Sequence, residues 1–547
     1  MDEEPAQPLG WTATRADISW TPGAGSKGDQ TMLITQSLRR AASVQPDRIA
    51  LTAGPVRRTW AQLAERTPRL AGGLRALGLA DGDRIAILSN NTAAFYELYL
   101  AAPWAGLVMV SLNTRWSPRE MAEALTDCSA AGLVVDAEFA DLAADLRKAA
   151  PSVRVLLASN GAAISAATSW EVLAEGEPIA DHARGPDEAA YLFYTGGTTG
   201  RAKGVILSAM NIYVAGLSSL HTAGVSSRSN YSISVPLFHM SGGGLIAGQL
   251  AAAAGAQLLP RFEPEASMAA VEAGRATHVV WVPTMLTMLL NSLAFGRYDL
   301  SSLERILYGS APMPQAVLAR ALEALPNVQF TQYYGMTELS GNATFLGPEA
   351  HKAKGENPRL RSVGIAVPGV EVKVIAPDGA SAATDQVGEI CVRGPTLTPG
   401  YWGQPDKTAE AIKDGWMHTG DLGRMDAGGY VFIVDRLKDM IVSGGENVYS
   451  SEVENALYQH PAVKECGVVG VPDEKWGEAV CAVVHLFEGA SVSAEDLVAH
   501  CRTLIGGYKT PRRIVFSADP LPKSAAGKIL KTELRAAHPV IAETSGA

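Results

Sequence analysis

DRIAILSNNTAAFYELYLAAPWAGLVMVSLN, residues 83–113, decides the class of the fold. DRIAILSN (83–90) is an apolar run of strand length. TAAFYELYLAAPWAG (92–106) carries helical periodicity, and LVMVSLN (107–113) is apolar again. Strand, helix and strand in so short a space make a crossover, and crossovers join parallel strands. The expectation is an α/β chain. The same grammar recurs outward from this stretch, at YSISVPLFHM (231–240), HVVWVPT (278–284) and RILYGSAPM (305–313), with no fixed-period repeat. LIAGQLAAAAGAQLLP (245–260) reads as a packed helix running into a strand, being too short for a membrane span.

Length and composition set the outer limits. A chain of 547 residues predicts two or more domains, and 47% hydrophobic with 19% charged residues describes a folded protein. A net charge of -10 argues against a general nucleic-acid binder. The five cysteines (Cys128, Cys391, Cys466, Cys481, Cys501) are scattered and include no CxxC pair, so neither a disulfide framework nor a zinc site is expected. A reduced, cytoplasmic setting fits. The acidic N-terminus has no apolar core of a signal peptide, and residues 1–30 read as a loose arm rich in Gly, Pro, Ser and Thr.

Past Val431 the texture changes. YVFIVDRLKDMIVSGGENVYSSEVENAL (430–457) leads into shorter strands and helices, ECGVVGVPD (465–473) and AVCAVVHLFEG (479–489). The expected organisation is a large multi-sheet α/β N-terminal domain over 31–436, a hinge at 437–439 and a small mobile α+β C-terminal domain over 440–547.

YLFYTGGTTGRAKGVILS, residues 191–208, brackets a Gly/Thr loop with two strand-like runs. Glycines let several backbone N–H groups converge on one point, threonines add hydroxyl donors, and Lys203 adds a positive charge, a combination suited to a polyphosphate. The plain alternative is a hairpin turn. The GxxxxGK[ST] spacing of the common phosphate loop cannot be matched on these glycines.

YTGGTTGRAKG resembles the phosphate-loop signature of the adenylate-forming acyl- and aryl-CoA synthetase family, which includes firefly luciferase and peptide-synthetase adenylation domains. Further stretches follow in that family's order: YGSAPM (308–313), YYGMTE (333–338), HTGDLG (418–423), DRLKDMIVSGGENVYSSEVE (435–454) and PKSAAGKILK (522–531). The resemblance covers the chain from about residue 30 to 535.

The resemblance implies two half-reactions. A carboxylate attacks the α-phosphorus of ATP and expels pyrophosphate, and a thiol then takes the acyl group from the acyl-AMP. Anion meets anion in the first half, so cations and amide donors must neutralise charge. The implied phosphate cradle is Thr195, Gly196, Gly197, Thr198, Thr199, Gly200 and Lys203, with Glu338 as the carboxylate for Mg²⁺ and Thr337 near the α-phosphate. Gly309, Ser310 and Ala311 form a small-residue turn for adenine. Tyr333, Tyr334, Gly335 and Met336 complete the nucleotide wall, Tyr334 giving the aromatic face. Asp421 is implied on the ribose hydroxyls, and Arg436 on ribose or α-phosphate. Lys528 is the lysine inserted between carboxylate and α-phosphate, and Lys438 is the hinge position. Gly444, Gly445 and Glu446 are implied on the path of coenzyme A.

PLFHMSGGGLIAG (236–248) matches the segment lining the acid's pocket, with His239, Met240 and Gly242. Tyr333 stands where many relatives have glycine; pointing inward, it shortens the pocket and favours a medium-chain, branched, cyclic or aromatic acid. No Arg or Lys cluster in these segments suggests a second carboxylate on the substrate. Two departures from the family pattern are Gly196, where serine is usual, and Ala202, where proline is usual. Neither removes a charge. The expected partners are a small carboxylic acid, ATP, Mg²⁺ and coenzyme A, with no nucleic acid and no membrane span; a homodimer is a possible assembly. Two other readings stand beside this one. GGGLIAG (242–248) fits a loose dinucleotide fingerprint with Glu263 downstream. Within the same fold, the acyl group could load a carrier protein in place of CoA; with no carrier segment after the PKSAAGKILK motif, a free-standing CoA ligase is expected.

Overall fold

The computed structural model describes residues 34–195, 202–352, 357–444, 446–473, 475–523 and 529–537. The N-terminal arm, Gly196, Gly197, Thr198, Thr199, Gly200, Gly445 and Lys528 lie outside the described residues.

Residues 83–113 form β1 (Arg84–Leu88), α1 (Ala93–Trp104) and β2 (Val108–Ser111), and β1 pairs parallel with β2. α1 is buried on every side, as expected of a helix apolar all round, and the Thr92 hydroxyl caps it by accepting the Phe95 N–H. Its one charge, Glu97, is held at 2.9 Å by Arg66 and at 2.8 Å by the Trp170 indole. Among the described residues this seven-stranded sheet ends in an antiparallel pair, β3 (Ala189–Thr195) and β4 (Lys203–Ser208).

α2 (Ala209–Thr222) follows β4 directly. Ser208 and Asn211 form a capping box, and the Asn211 amide also donates to the Pro395 and Leu397 carbonyls at 2.7 and 2.9 Å. A nine-stranded sheet of the described residues meets the C-terminal end of α2, where Thr222 reaches the Tyr333 hydroxyl. Its central strands β5 (Asn230–Ile233), β6 (His278–Val280), β7 (Arg305–Gly309) and β8 (Gln329–Tyr334) run parallel, as their apolar, doubly covered sequences predict. Between β5 and β6 runs α3 (Met240–Ala252), followed by the strand Gly255–Leu258, so the predicted helix-into-strand is present. Gly242–Gly244 lie inside α3, not in a strand-to-helix turn. The dinucleotide fingerprint is therefore excluded.

A third, antiparallel sheet includes β9 (Gly388–Arg393), β10 (Trp416–Met425) and β11 (Val431–Arg436). A fourth, mostly antiparallel, begins with β12 (Ile441–Ser443) and packs against α4 (Ser450–Leu457) and the late helix α5 (Lys531–Ala537). The chain thus crosses from the third sheet to the fourth between Arg436 and Ile441.

Candidate active site

Two motifs meet at the C-terminal ends of β7 and β8, which pair Gly309 with Tyr333. A Cβ at Gly309 would stand 2.3 Å from the Tyr333 carbonyl oxygen, so only glycine lets these strand ends approach. Ser310 follows at φ +65°, turning the chain away with Ala311. Gly335 packs on the Gly341 carbonyl with equally little room, and Met336 precedes the 3₁₀ turn Thr337–Leu339 that carries Thr337 and Glu338.

The nucleotide side is a row of charged hydrogen bonds. Tyr334 donates its hydroxyl to Asp421 Oδ2 at 2.7 Å, and Arg436 Nε holds Asp421 Oδ1 at 2.6 Å across the paired strands β10 and β11. Burial, then the Asp421 charge, pushes the Tyr334 phenol well above its ordinary range, so it stays a donor. Asp421 keeps lone pairs on both oxygens for further donors.

The second cluster centres on Glu338, which is buried. Tyr401 donates to its Oε1 at 2.9 Å, and Lys203 Nζ stands 4.7 Å from the Tyr401 ring. Burial raises the Glu338 carboxyl, while Tyr401 and the Lys203 charge oppose that shift. Thr195 pairs with Lys203 across the antiparallel strands β3 and β4, and that strand end brings Lys203 to the Tyr401 ring.

Of the residues expected at the acid's pocket, His239 is half-buried just before α3, with its Nε2 shielded from solvent and lacking a partner among the described residues. Burial, then the charge of Arg115, brings its pKa down to about 4, leaving a neutral imidazole. Met240 is buried and its Cβ faces Gly341, tying the pocket segment to the Tyr334 motif. Gly242 faces the Pro236 carbonyl, where a Cβ would stand at 2.3 Å. Tyr333 points away from the nucleotide cluster and reaches α2, where its hydroxyl lies 2.7 Å from Thr222 Oγ1. Thr222 donates its single proton to the Ser218 carbonyl, so Tyr333 is the donor to Thr222.

The small domain contributes less here. Lys438 lies between β11 and β12, its carbonyl accepting from Arg535 of α5, which also pairs with Asp439 at 2.9 Å. Gly444, at φ +63°, donates to the Trp476 carbonyl and lies under the indole, where a Cβ would stand 2.8 Å from the ring. Glu446 is exposed at the start of the next strand.

Several participants carry no local signal. Tyr401 joins Glu338 only through folding. Arg305, bonded to Thr331 and Gln329, shares the Tyr333 end of the pocket with Tyr231, although no motif singles it out. Cys391 does acquire a histidine neighbour, His418, at 3.6 Å across β9 and β10, 27 positions away in the chain. Spacing along the sequence could not show it.

The family model "AMP-binding enzyme" matches residues 38–402, and "AMP-binding enzyme C-terminal domain" matches residues 452–528. Feruloyl-CoA synthase of Amycolatopsis sp is 38% identical over 497 residues, covering 91% of this chain and 97% of that protein. Fatty acid–[acyl-carrier-protein] ligase ScoC of Streptomyces coeruleorubidus is 35% identical over 481 residues, covering 87% and 91%. The structure of amide bond synthetase McbA from Marinactinospora thermotolerans superposes with a TM-score of 0.84 at 33% identity, covering 92% of this chain and 99% of that one. With both family models matched in order along one chain, the protein belongs to the AMP-binding enzyme family of adenylate-forming acyl- and aryl-CoA ligases, and it is an AMP-forming acid–thiol ligase.

Proposed function

We propose that the protein converts a compact carboxylic acid (aromatic, cyclic, branched or medium-chain) to its acyl-AMP and passes the acyl group to coenzyme A. The observation that carries this reading is the meeting of Tyr334–Asp421–Arg436 with Tyr401–Glu338–Lys203 at one strand end.

In the proposed mechanism Tyr334 stacks on adenine, Asp421 accepts the ribose hydroxyls, and Arg436 reaches the α-phosphate. Lys203, Thr195 and the Gly/Thr loop from Gly196 to Gly200 hold the β- and γ-phosphates. Tyr401 occupies one Glu338 oxygen and, among the described residues, leaves the other unpartnered, which suits a Mg²⁺ bound by one carboxylate and phosphates. When bound, that ion neutralises phosphate charge. Lys528 stabilises the charge developing between carboxylate and α-phosphate. The small domain, 440–547, then rotates about 437–439 near Lys438, and Gly444, Gly445 and Glu446 line the thiol's approach. The Trp476 ring against Gly444 supports a passage too tight for a side chain.

The acid is read as compact because Tyr333, tied to Thr222 of α2, packs against the apolar cluster that contains Met240, beside His239 and Gly242 of the expected pocket segment. The similarity to feruloyl-CoA synthase supports an aryl acid among the compact candidates. The similarity to ScoC supports a second acceptor, a carrier-protein thiol. A cytoplasmic location is part of the proposal; five unpaired thiols support it, and no helix of the described residues is long and apolar enough to cross a membrane. A pyrophosphate-release screen over aromatic, branched, cyclic and linear acids tests the whole reading, run with CoA, with a carrier protein and with neither. Release confined to linear long-chain acids, or none in any arm, would overturn it.

A further inference from the structure

Asp421 stands in an irregularity of its strand. Glu389 pairs with Leu422 and Cys391 with His418, so two steps along β9 face four along β10. Thr419, Gly420 and Asp421 thus stand opposite the one residue Ile390 and bulge out of the ladder with β9, Gly420 at φ +69°. A bulge forfeits backbone bonds and must be held by something else. Here side chains hold it. Glu389 Oε1 accepts the Gly420 N–H at 3.0 Å, and its Oε2 takes the His418 Nδ1–H at 2.7 Å. Thr419 donates to the Ile390 carbonyl at 2.7 Å and accepts the Asp421 N–H at 3.1 Å. Both Glu389 oxygens are thus committed to the residues on either side of Thr419, and neither bonds to Asp421.

We propose that Glu389, oriented by His418, is a positioning residue that clamps the 419–421 bulge and so aims the Asp421 carboxylate at the ribose hydroxyls. The clamp rests on the proposed role of Asp421 as the ribose ligand. The two other groups on Asp421, Tyr334 and Arg436, fix its oxygens from the far side, where the Gly420 carbonyl also accepts the Leu437 N–H at 2.8 Å; toward β9 the bulge is held by the Glu389 and Thr419 side chains. Without Glu389, the Gly420 N–H has no side-chain acceptor and a residue at positive φ is free to relax toward the regular ladder.

The test compares ATP with 2′,3′-dideoxy-ATP in pyrophosphate release, because only the hydroxyls report Asp421. Hydrogen bonds to a carboxylate discriminate enough for the wild type to favour ATP by about a hundredfold in kcat/KM. E389A is expected to cut that preference about tenfold through KM for ATP, leaving dideoxy-ATP and the acid's KM within about twofold. E389Q, whose amide oxygen still accepts the Gly420 N–H, is expected to restore most of the preference. H418A, which frees Glu389 from its second partner, is expected to lose about threefold in the same direction and decides the matter if E389A does not fold. An E389A or H418A enzyme that keeps the wild-type preference, or loses ATP and dideoxy-ATP activity equally, overturns the clamp alone. A wild type indifferent to the two hydroxyls overturns the ribose assignment of Asp421 and the clamp with it.

Discussion

At one end of the cleft Tyr334, Asp421 and Arg436 bond in a row across three strands, with Glu338, Tyr401 and Lys203 beside them. At the other end a single hydroxyl pair, Tyr333 to Thr222, joins a strand to a helix amid apolar packing. The two tyrosines are adjacent in the chain and face opposite tasks. On the proposed assignment the nucleotide end works by placed charge, which tolerates almost no substitution, since a buried charge left unpaired is costly. The acyl end works by filled volume, which changes by degrees. Nucleotide chemistry should therefore fail sharply under mutation while acid preference drifts.

The largest expected effect lies on the charged side. Lys528→Ala should lower acyl-AMP formation by about 10²–10³, the worth of one transition-state contact, while thioester formation from supplied acyl-AMP stays near normal. Measuring the half-reactions separately checks it, and equal loss in both would break the division of labour. Next comes Glu338→Gln, expected to cost about tenfold to a hundredfold in adenylation and to raise the Mg²⁺ required, with thermal stability little changed. Because burial raises the Glu338 carboxyl, protonation removes its charge at a higher pH than for an ordinary carboxylate. Adenylation should fall as pH drops through that range, and a pH profile of Glu338→Gln should lack this acid limb.

Tyr333→Gly should shift the preference among acids by about tenfold toward longer chains, the scale on which pocket volume discriminates, with KM for ATP within about twofold. A shifted ATP constant with an unchanged chain-length profile would mean that the two ends are not separate. The smallest effect belongs to Tyr333→Phe, which deletes only the bond to Thr222. Denaturant unfolding should report a loss of about 1 kcal/mol with little change in substrate profile.

How much of the molecule could be read from residues alone follows the same divide. The crossover at 83–113 was legible because apolar periodicity is local and every turn of α1 is buried. Asp421, Arg436 and Glu338 stood out as candidates because their motifs carry charge at fixed spacing, and the fold brings the three together. That Tyr334 donates to Asp421 was not, since 87 positions separate them and only strand pairing brings them together. Thr222 and Arg305 were illegible for the same reason: one ends a helix and the other starts a strand, as ordinary residues do in those places. No CxxC spacing marks Cys391, yet across β9 and β10 it faces His418, a neighbour that only strand pairing supplies.

The five cysteines, all unpaired and buried, bear on how such an enzyme endures its own substrate. Burial pushes the thiols up, to about 11 for Cys128 and Cys501 and about 12 for Cys391, with Cys466 and Cys481 raised as well. Exchange with a disulfide needs an accessible thiolate, and none of these offers one near neutral pH. A ligase built this way offers the oxidised form of its thiol acceptor no reactive cysteine to cap, so incubation with that disulfide should leave acyl-AMP formation unchanged.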